Sequence, residues 1–287
     1  MNDAVSAAGA VERAAAALAG FVSRHGRIAV LTGAGCSTES GIPDYRSPGG
    51  AWSRHKPIQF GEFVRSAPAR RRYWARSFAG WNRFAAAAPN GAHVALCELE
   101  DRGDVVALIT QNVDGLHQRA GSRAVIELHG SNHRVICLSC AVVAPREDVQ
   151  ERIRAANDGW APHEVAIAPD GDAALEPAAV DSFVVPDCAR CGGVLKPDVV
   201  FFGENVPKER VERSFAAVDV ADALLVAGSS LAVFSGFRFV LGARERGKPV
   251  AILSIGETRG DAIAELKLEA KCGVVLPEVA SLLASRG

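Results

Sequence analysis

Four of the seven cysteines fall into two C-x-x-C pairs, Cys137 with Cys140 and Cys188 with Cys191. Four thiolates are the ligand set of a closed tetrahedral Zn2+ site, which leaves no coordination position for water and is therefore structural. The stretch between the pairs is longer than in an ordinary zinc ribbon, and disulfides are the competing reading, one that needs an oxidising compartment. Cys36 and Cys97 read as small buried side chains. Among seven histidines, His117 and His129 sit in polar turns that follow apolar runs. An imidazole is the side chain suited to taking a proton from a hydroxyl near neutral pH, although a single histidine is more often a hydrogen-bonded structural residue. Gly33-Ala34-Gly35 closes the apolar run Ile28–Thr32. Such a turn lets backbone approach a phosphate, or is simply a tight turn, and Thr38 stands where a dinucleotide fingerprint has its third glycine.

These groups need elements to hold them. Ile28–Thr32, Val105–Thr110, Ala223–Gly228, Val250–Leu253 and Val274–Leu276 are apolar runs ending in turns, as strands buried on both faces do. Helices are predicted at about Val11–Arg24, around Lys208–Val218 and around Phe237–Arg246. The fold class is α/β, a Rossmann-like doubly wound parallel sheet with a small zinc-binding module and a helical insertion. The Rossmann-like part spans approximately 1–47, 90–135 and 194–287. The Arg- and aromatic-rich segment 48–89 is the helical insertion, and 136–193 is the zinc module.

Composition narrows the function classes. The chain has 287 residues, 48% hydrophobic and 23% charged, with a formal net charge of −1. That balance suits a folded soluble protein and offers no basic footprint for nucleic acid or an anionic membrane. No apolar run has the ~18 residues of a membrane span, and Asp3 and Glu12 argue against a leader. The expectation is a cytoplasmic monomer.

The run Gly33-Ala34-Gly35-Cys36-Ser37-Thr38-Glu39-Ser40-Gly41-Ile42-Pro43-Asp44-Tyr45-Arg46 resembles the signature of the sirtuins, the NAD-dependent protein deacylases. Thr110–His117, Glu127–Gly130, Lys196–Glu204 and Gly228–Leu231 resemble their later motifs in the same order. The likeness covers about Val22 to Pro277. Pro43–Arg46, Arg72–Arg76 and the long stretch between cysteine pairs are most similar to the class II branch, in particular to its mitochondrial lipoamidase/ADP-ribosyltransferase type. The Ala- and Arg-rich composition and the missing extension point to a bacterial relative.

The resemblance implies an acyl-lysine protein as substrate, NAD as co-substrate and one structural Zn2+. It places His129 on the general base, with Asn112 and Asp114 holding the nicotinamide end so that the acyl oxygen attacks C1′ in a productive geometry. After nicotinamide leaves, His129 takes a proton from a ribose hydroxyl, which attacks the imidate carbon, and water completes the release of lysine and O-acyl-ADP-ribose. Gly33, Ala34, Gly35, Ser37, Asp44, Tyr45, Arg46 and Gln111 fall on NAD-binding positions. So do Gly228, Ser229, Ser230, Ser254, Ile255, Gly256 and Cys272. Ser254 stands where many relatives have Asn. His117 falls on a position that shapes the site.

Val199, Phe201, Phe202 and Gly203 match the segment that pairs with substrate backbone, where strand addition gives affinity with weak sequence preference. Tyr73 and Arg76, three apart on a helix, share a face, and an arginine there binds a carboxylate bidentately. In one class II sirtuin such a pair selects malonyl, succinyl or glutaryl lysine; the alternative is an amphipathic helix with an exposed arginine. Acetyl, acidic and lipoyl-type groups all stay open. Mono-ADP-ribosylation of protein at the same NAD site is the second reading, and an NAD- or nucleic-acid-binding regulator the third. The broken glycine fingerprint disfavours a dehydrogenase.

Overall fold

A computed structural model of the chain describes residues 2–44, 57–160, 170–173, 175 and 180–285. The chain begins with α1 (Asn2–His25), longer at its start than expected, and β1 (Ile28–Thr32). Two single turns of 3-10 helix, Ala34–Cys36 and Thr38–Ser40, lead away from β1. Next come α2 (Phe60–Arg65), α3 (Ala67–Ala85), α4 (Gly91–Asp101), β2 (Val105–Thr110), α5 (Leu116–Arg119) and β3 (Val125–Glu127). β4 (Gly130–Cys137), β5 (Val143–Pro145), α6 (Arg146–Ala156) and β6 (Leu195–Val199) follow. The remainder is α7 (Lys208–Val220), β7 (Ala223–Ala227), α8 (Phe234–Glu245), β8 (Val250–Leu253), β9 (Leu266–Leu268) and α9 (Cys272–Ala284).

Six strands form one sheet in the order β3-β2-β1-β7-β8-β9, and every pairing is parallel. Successive residues of β1 serve opposite faces. Val30 packs with Leu18, Phe21, Leu96 and Leu276 from α1, α4 and α9, while Leu31 packs with Phe239 and Val240 of α8. Both faces are covered, which is why the central strands are apolar throughout. Val274–Leu276, expected as the last strand, instead lies inside α9. Val275, Leu276, Val279, Ala280 and Leu283 are buried at helical spacing, and the last strand is the short, half-buried β9.

A second sheet, β5-β4-β6, is antiparallel. It shares a third core with α2, α3 and α6, built from Phe63, Trp74, Trp81, Phe84, Ile153 and Phe183. The Trp74 indole N–H donates to the Leu195 carbonyl at 3.1 Å, fastening α3 to β6. Arg146 is fully buried there, with no carboxylate bonded to it among the described residues. Its guanidinium bonds the Ser77 hydroxyl and carbonyl and the Gln150 side chain, and lies 5.1 and 4.6 Å from the rings of Trp74 and Trp81. Burial pulls it down to about 10. No helix among the described residues is long and apolar enough to cross a membrane.

Candidate functional site

Cys137 ends β4 and Cys140 lies in the turn after it, while Cys188 and Cys191 occupy the loop before β6. Each pair forms a knuckle closed by backbone bonds. Ala141 N–H donates to the Cys137 carbonyl at 3.0 Å, and Gly192 N–H to the Cys188 carbonyl at 2.8 Å. Both Ala141 and Gly192 adopt left-handed backbone. All four Sγ atoms lie within 4.8 Å of one another, with Cys137 and Cys191 3.5 Å apart and Cys140 and Cys188 3.9 Å apart. Tetrahedral thiolates at a Zn–S bond of ~2.3 Å stand about 3.8 Å apart, so the cluster fits the metal, and none of the cysteines is in a disulfide. A divalent ion favours the thiolate at all four.

Between the carboxyl ends of the main sheet and the smaller sheet runs a cleft of about 1030 Å3. Its floor is made by the turns that leave β1, β2, β7 and β8, where open α/β sheets bind ligands. Gly33, Ala34, Gly35 and Ser37 line it, as do Gln111, Asn112 and Asp114, Gly228, Ser229 and Ser230, Ser254, Ile255, Gly256 and Cys272. Asp44 joins them; Tyr45 and Arg46 lie outside the described residues. The turns after β1 and β7 meet backbone to backbone. Gly35 N–H donates to the Gly228 carbonyl at 2.8 Å, and a Cβ on Gly35 would stand 2.9 Å from the Gly228 Cα. Larger residues would therefore part the two turns. The Ser229 hydroxyl is engaged, accepting from Gln111 Nε2 at 2.8 Å, whereas the Ser230 hydroxyl has no partner among the described residues. Backbone turns, hydroxyls and the exposed Ile255 side chain at the rim suit a ligand with phosphates, sugars and an apolar ring.

Ser37 is a hub. Its hydroxyl donates to Asp114 Oδ2 at 2.7 Å and accepts from Asn112 Nδ2 at 3.0 Å. Asn112 Nδ2 also reaches the Gly33 carbonyl, and Asp114 Oδ1 accepts from the Leu116 N–H that begins α5. His93 stands behind Ser37. Its Nδ1 accepts from Asn90 N–H, so Nε2 carries the hydrogen and faces the Ser37 oxygen at 3.5 Å. His117 is buried below. The Thr32 hydroxyl donates to Thr110 and faces His117 Nε2 at 3.0 Å, which makes that nitrogen the donor and leaves Nδ1 without a partner among the described residues. Burial lowers both histidines, His117 strongly.

His129 lines the cleft at the junction of the two sheets. Its Nδ1 is 3.0 Å from the Gln111 carbonyl, an acceptor only, so Nδ1 bears the hydrogen and Nε2 the lone pair. Burial draws the imidazole down to about 4, with the Gln111 carbonyl opposing the shift and the charge of Arg210 adding to it. The ring is neutral at pH 7 and carries its lone pair on Nε2.

Val199, Phe201, Phe202 and Gly203 form the adjacent wall. Val200 N–H donates to the His129 carbonyl at 2.8 Å, and Phe201 N–H to Glu204 Oε2 at 2.8 Å. Glu204 in turn pairs with the buried Lys196 at 3.1 Å. Tyr73 is buried with its ring 5.0 Å from that of Phe201 and lines the cleft. Arg76 is outside the described lining: its Nε donates to the Ala173 carbonyl at 2.9 Å, and its own carbonyl accepts from Ala173 N–H. Beside Tyr73 the cleft presents Asp170, with Asp172 near it, and burial pushes both carboxyls up. Sequence reasoning missed Asp170, His93, Ser235 and Arg238, whose buried Nε in the cleft wall has no partner among the described residues. Only the apolar setting of His93 on α4 was visible in advance, and that marks a core histidine as readily as a site.

The Sir2 family model matches residues 33–235. An NAD-dependent protein deacetylase of Xanthomonas campestris pv. campestris (strain 8004) is 55% identical over 267 residues, covering 93% of this chain and 91% of its own. The mitochondrial NAD-dependent protein lipoamidase sirtuin-4 of Bos taurus is 53% identical over 260 residues, covering 90% and 82%. A Sir2 homologue solved in complex with NAD aligns with a TM-score of 0.73 at 32% identity, over 94% of this chain and 93% of that one. A Sir2 structure with a p53 peptide and NAD+ aligns with a TM-score of 0.70 at 32% identity, over 91% and 92%. With the parallel sheet, the cysteine cluster and the cleft between them in place, the chain belongs to the Sir2 family, the sirtuins.

Proposed function

We propose that this sirtuin is an NAD-dependent protein lysine deacylase with His129 as its general base. The observation that carries the reading is the imidazole itself, set in the cleft wall with Nδ1–H on the Gln111 carbonyl and the lone pair therefore on Nε2. The names of the relatives support it, since those from Xanthomonas and Bordetella are called NAD-dependent protein deacetylases.

NAD supplies the acceptor: the acyl-lysine amide oxygen displaces nicotinamide at C1′, a ribose hydroxyl then takes the acyl carbon, and water frees the lysine amine. His129 Nε2 accepts the proton of that hydroxyl, and the Gln111 carbonyl holds the resulting imidazolium by its Nδ1–H. Asn112 and Asp114, fixed through Ser37, orient the nicotinamide end, where positioning supplies much of the rate. The turns at Gly33–Gly35 and Gly228–Ser230 receive the phosphates and a ribose; Ser254, Ile255, Gly256 and Cys272 face the adenosine. Val199–Gly203 pairs with substrate backbone, and Tyr73 with Phe201 encloses the acyl-lysine. Zinc held by the four thiolates would stabilise the smaller sheet and, with no open coordination position, would take no part in the chemistry.

Mass spectrometry of a reaction with NAD and an acyl-lysine peptide tests the proposal. Nicotinamide, O-acyl-ADP-ribose and free lysine are the expected products. ADP-ribose linked to protein, with the acyl group left on lysine, would replace the deacylase with a mono-ADP-ribosyltransferase.

A further inference from the structure

Ser235, in the first turn of α8, places its Oγ 2.9 Å from His129 Nε2 and lines the same cleft. Because Nδ1 donates to the Gln111 carbonyl, Nε2 has only a lone pair to offer, and the Ser235 hydroxyl must donate to it. The two partners of the ring are themselves pressed together. A Cβ on Gly236 would come within 2.5 Å of Gln111 Oε1, so the start of α8 sits directly on the Gln111 side chain. Gln111 is fixed in turn by Nε2 bonds to Ser229 Oγ and the Thr32 carbonyl. The imidazole is thus clamped between β2 and α8, one nitrogen on each side.

We propose that Ser235 is a positioning residue for the base, holding His129 Nε2 toward the cleft in the free enzyme and bonding the imidazolium after proton transfer; this rests on the reading of His129 as general base. A serine hydroxyl offers one donor and two acceptor sites, so it serves both states of the ring. Facing neutral imidazole it donates. When a ribose hydroxyl takes over the lone pair, the Ser235 hydrogen turns away and its oxygen accepts the new Nε2–H. No proton passes through Ser235: the ribose proton ends on Nε2 and the serine keeps its own. The charged group that bears on His129 from α7 is Arg210, itself bonded to Asp198 at 2.9 Å, and among the described residues no carboxylate bonds the ring, whose partners are the Gln111 carbonyl and Ser235.

The experiment separates two steps of one reaction. Exchange of labelled nicotinamide into NAD, in the presence of acyl-peptide, reads the step before the base acts, and deacylated peptide reads the step that needs it. Ser235→Ala should lower kcat for deacylation about tenfold, the worth of one hydrogen bond to a charged ring. Exchange and the KM for NAD should stay within about twofold, and Ser235→Thr, which keeps the hydroxyl, should recover most of the deacylation. Deacylation unchanged in Ser235→Ala, a parallel fall in exchange, or a threonine variant as slow as the alanine one would each overturn the role of Ser235. Wild-type protein that neither exchanges nor deacylates would instead overturn the deacylase reading on which the role rests.

Discussion

The Ser37 hydroxyl donates to Asp114 Oδ2 at 2.7 Å, joining the turn that leaves β1 to the turn that leaves β2. The same oxygen accepts from Asn112, so one small side chain orients two groups of the cleft. Ser37→Ala should reduce kcat/KM for NAD by about ten- to a hundredfold, because both partners lose their geometry while the fold keeps its core. Steady-state kinetics beside a thermal melt checks this; a variant with wild-type kcat/KM would detach Ser37 from the site.

Burial holds His129 at about 4, below the ordinary histidine value of ~6.5. The imidazole is therefore neutral across the physiological range, and with His129 as the proposed base the acid limb of kcat/KM should have its midpoint well below pH 6.5. A limb centred at pH 7 or above would mean that another group is the base. The same shift acts on stability. The unfolded chain binds the proton first, so the contribution of His129 is present above about pH 6.5 and is lost as pH falls through about 4. Denaturant midpoints should fall over that window, and His129→Gln should flatten the fall.

Arg76 is tied to Ala173 by both its guanidinium and its carbonyl, and the cleft beside Tyr73 shows a carboxyl, Asp170. Selection of acidic acyl groups by the Tyr73/Arg76 pair is thus poorly served by this geometry. Arg76→Ala should leave the ratio of succinyl-lysine to acetyl-lysine turnover within about twofold. A tenfold loss of succinyl preference would restore the pair as a carboxylate clamp.

Removing zinc from the Cys137, Cys140, Cys188 and Cys191 cluster should lower the melting temperature by about 10 °C or more, since metal binding energy is folding energy for the smaller sheet. Reloading should restore it, and X-ray absorption of the loaded protein should give four sulfurs at about 2.3 Å. A chelator-treated protein that melts unchanged would show that the cluster holds no stabilising ion.

The central strands were legible because burial on both faces leaves continuous apolar runs, as in Ile28–Thr32 and Val250–Leu253. The same cue misled at Val274–Leu276. Three apolar residues before Pro277 look like a strand, yet the helical spacing becomes visible only when Val279, Ala280 and Leu283 are added. Leu266–Leu268 was too short and half-exposed to stand out as an edge strand. In the site, the glycine turns and cysteine pairs announced themselves through local spacing. The contact between Ser235 and His129 joins β7–α8 to the β3–β4 turn, and no pattern within either segment encodes it.

The most direct measurement is nicotinamide release from NAD with acetyl-, succinyl-, glutaryl- and lipoyl-lysine peptides, run beside His129→Ala with the zinc site loaded. Release that depends on an acyl-peptide, with deacylated product lost by at least about a hundredfold in the variant, is the predicted result. No peptide-dependent release, or deacylation that survives in His129→Ala, would contradict a sirtuin deacylase working through this base.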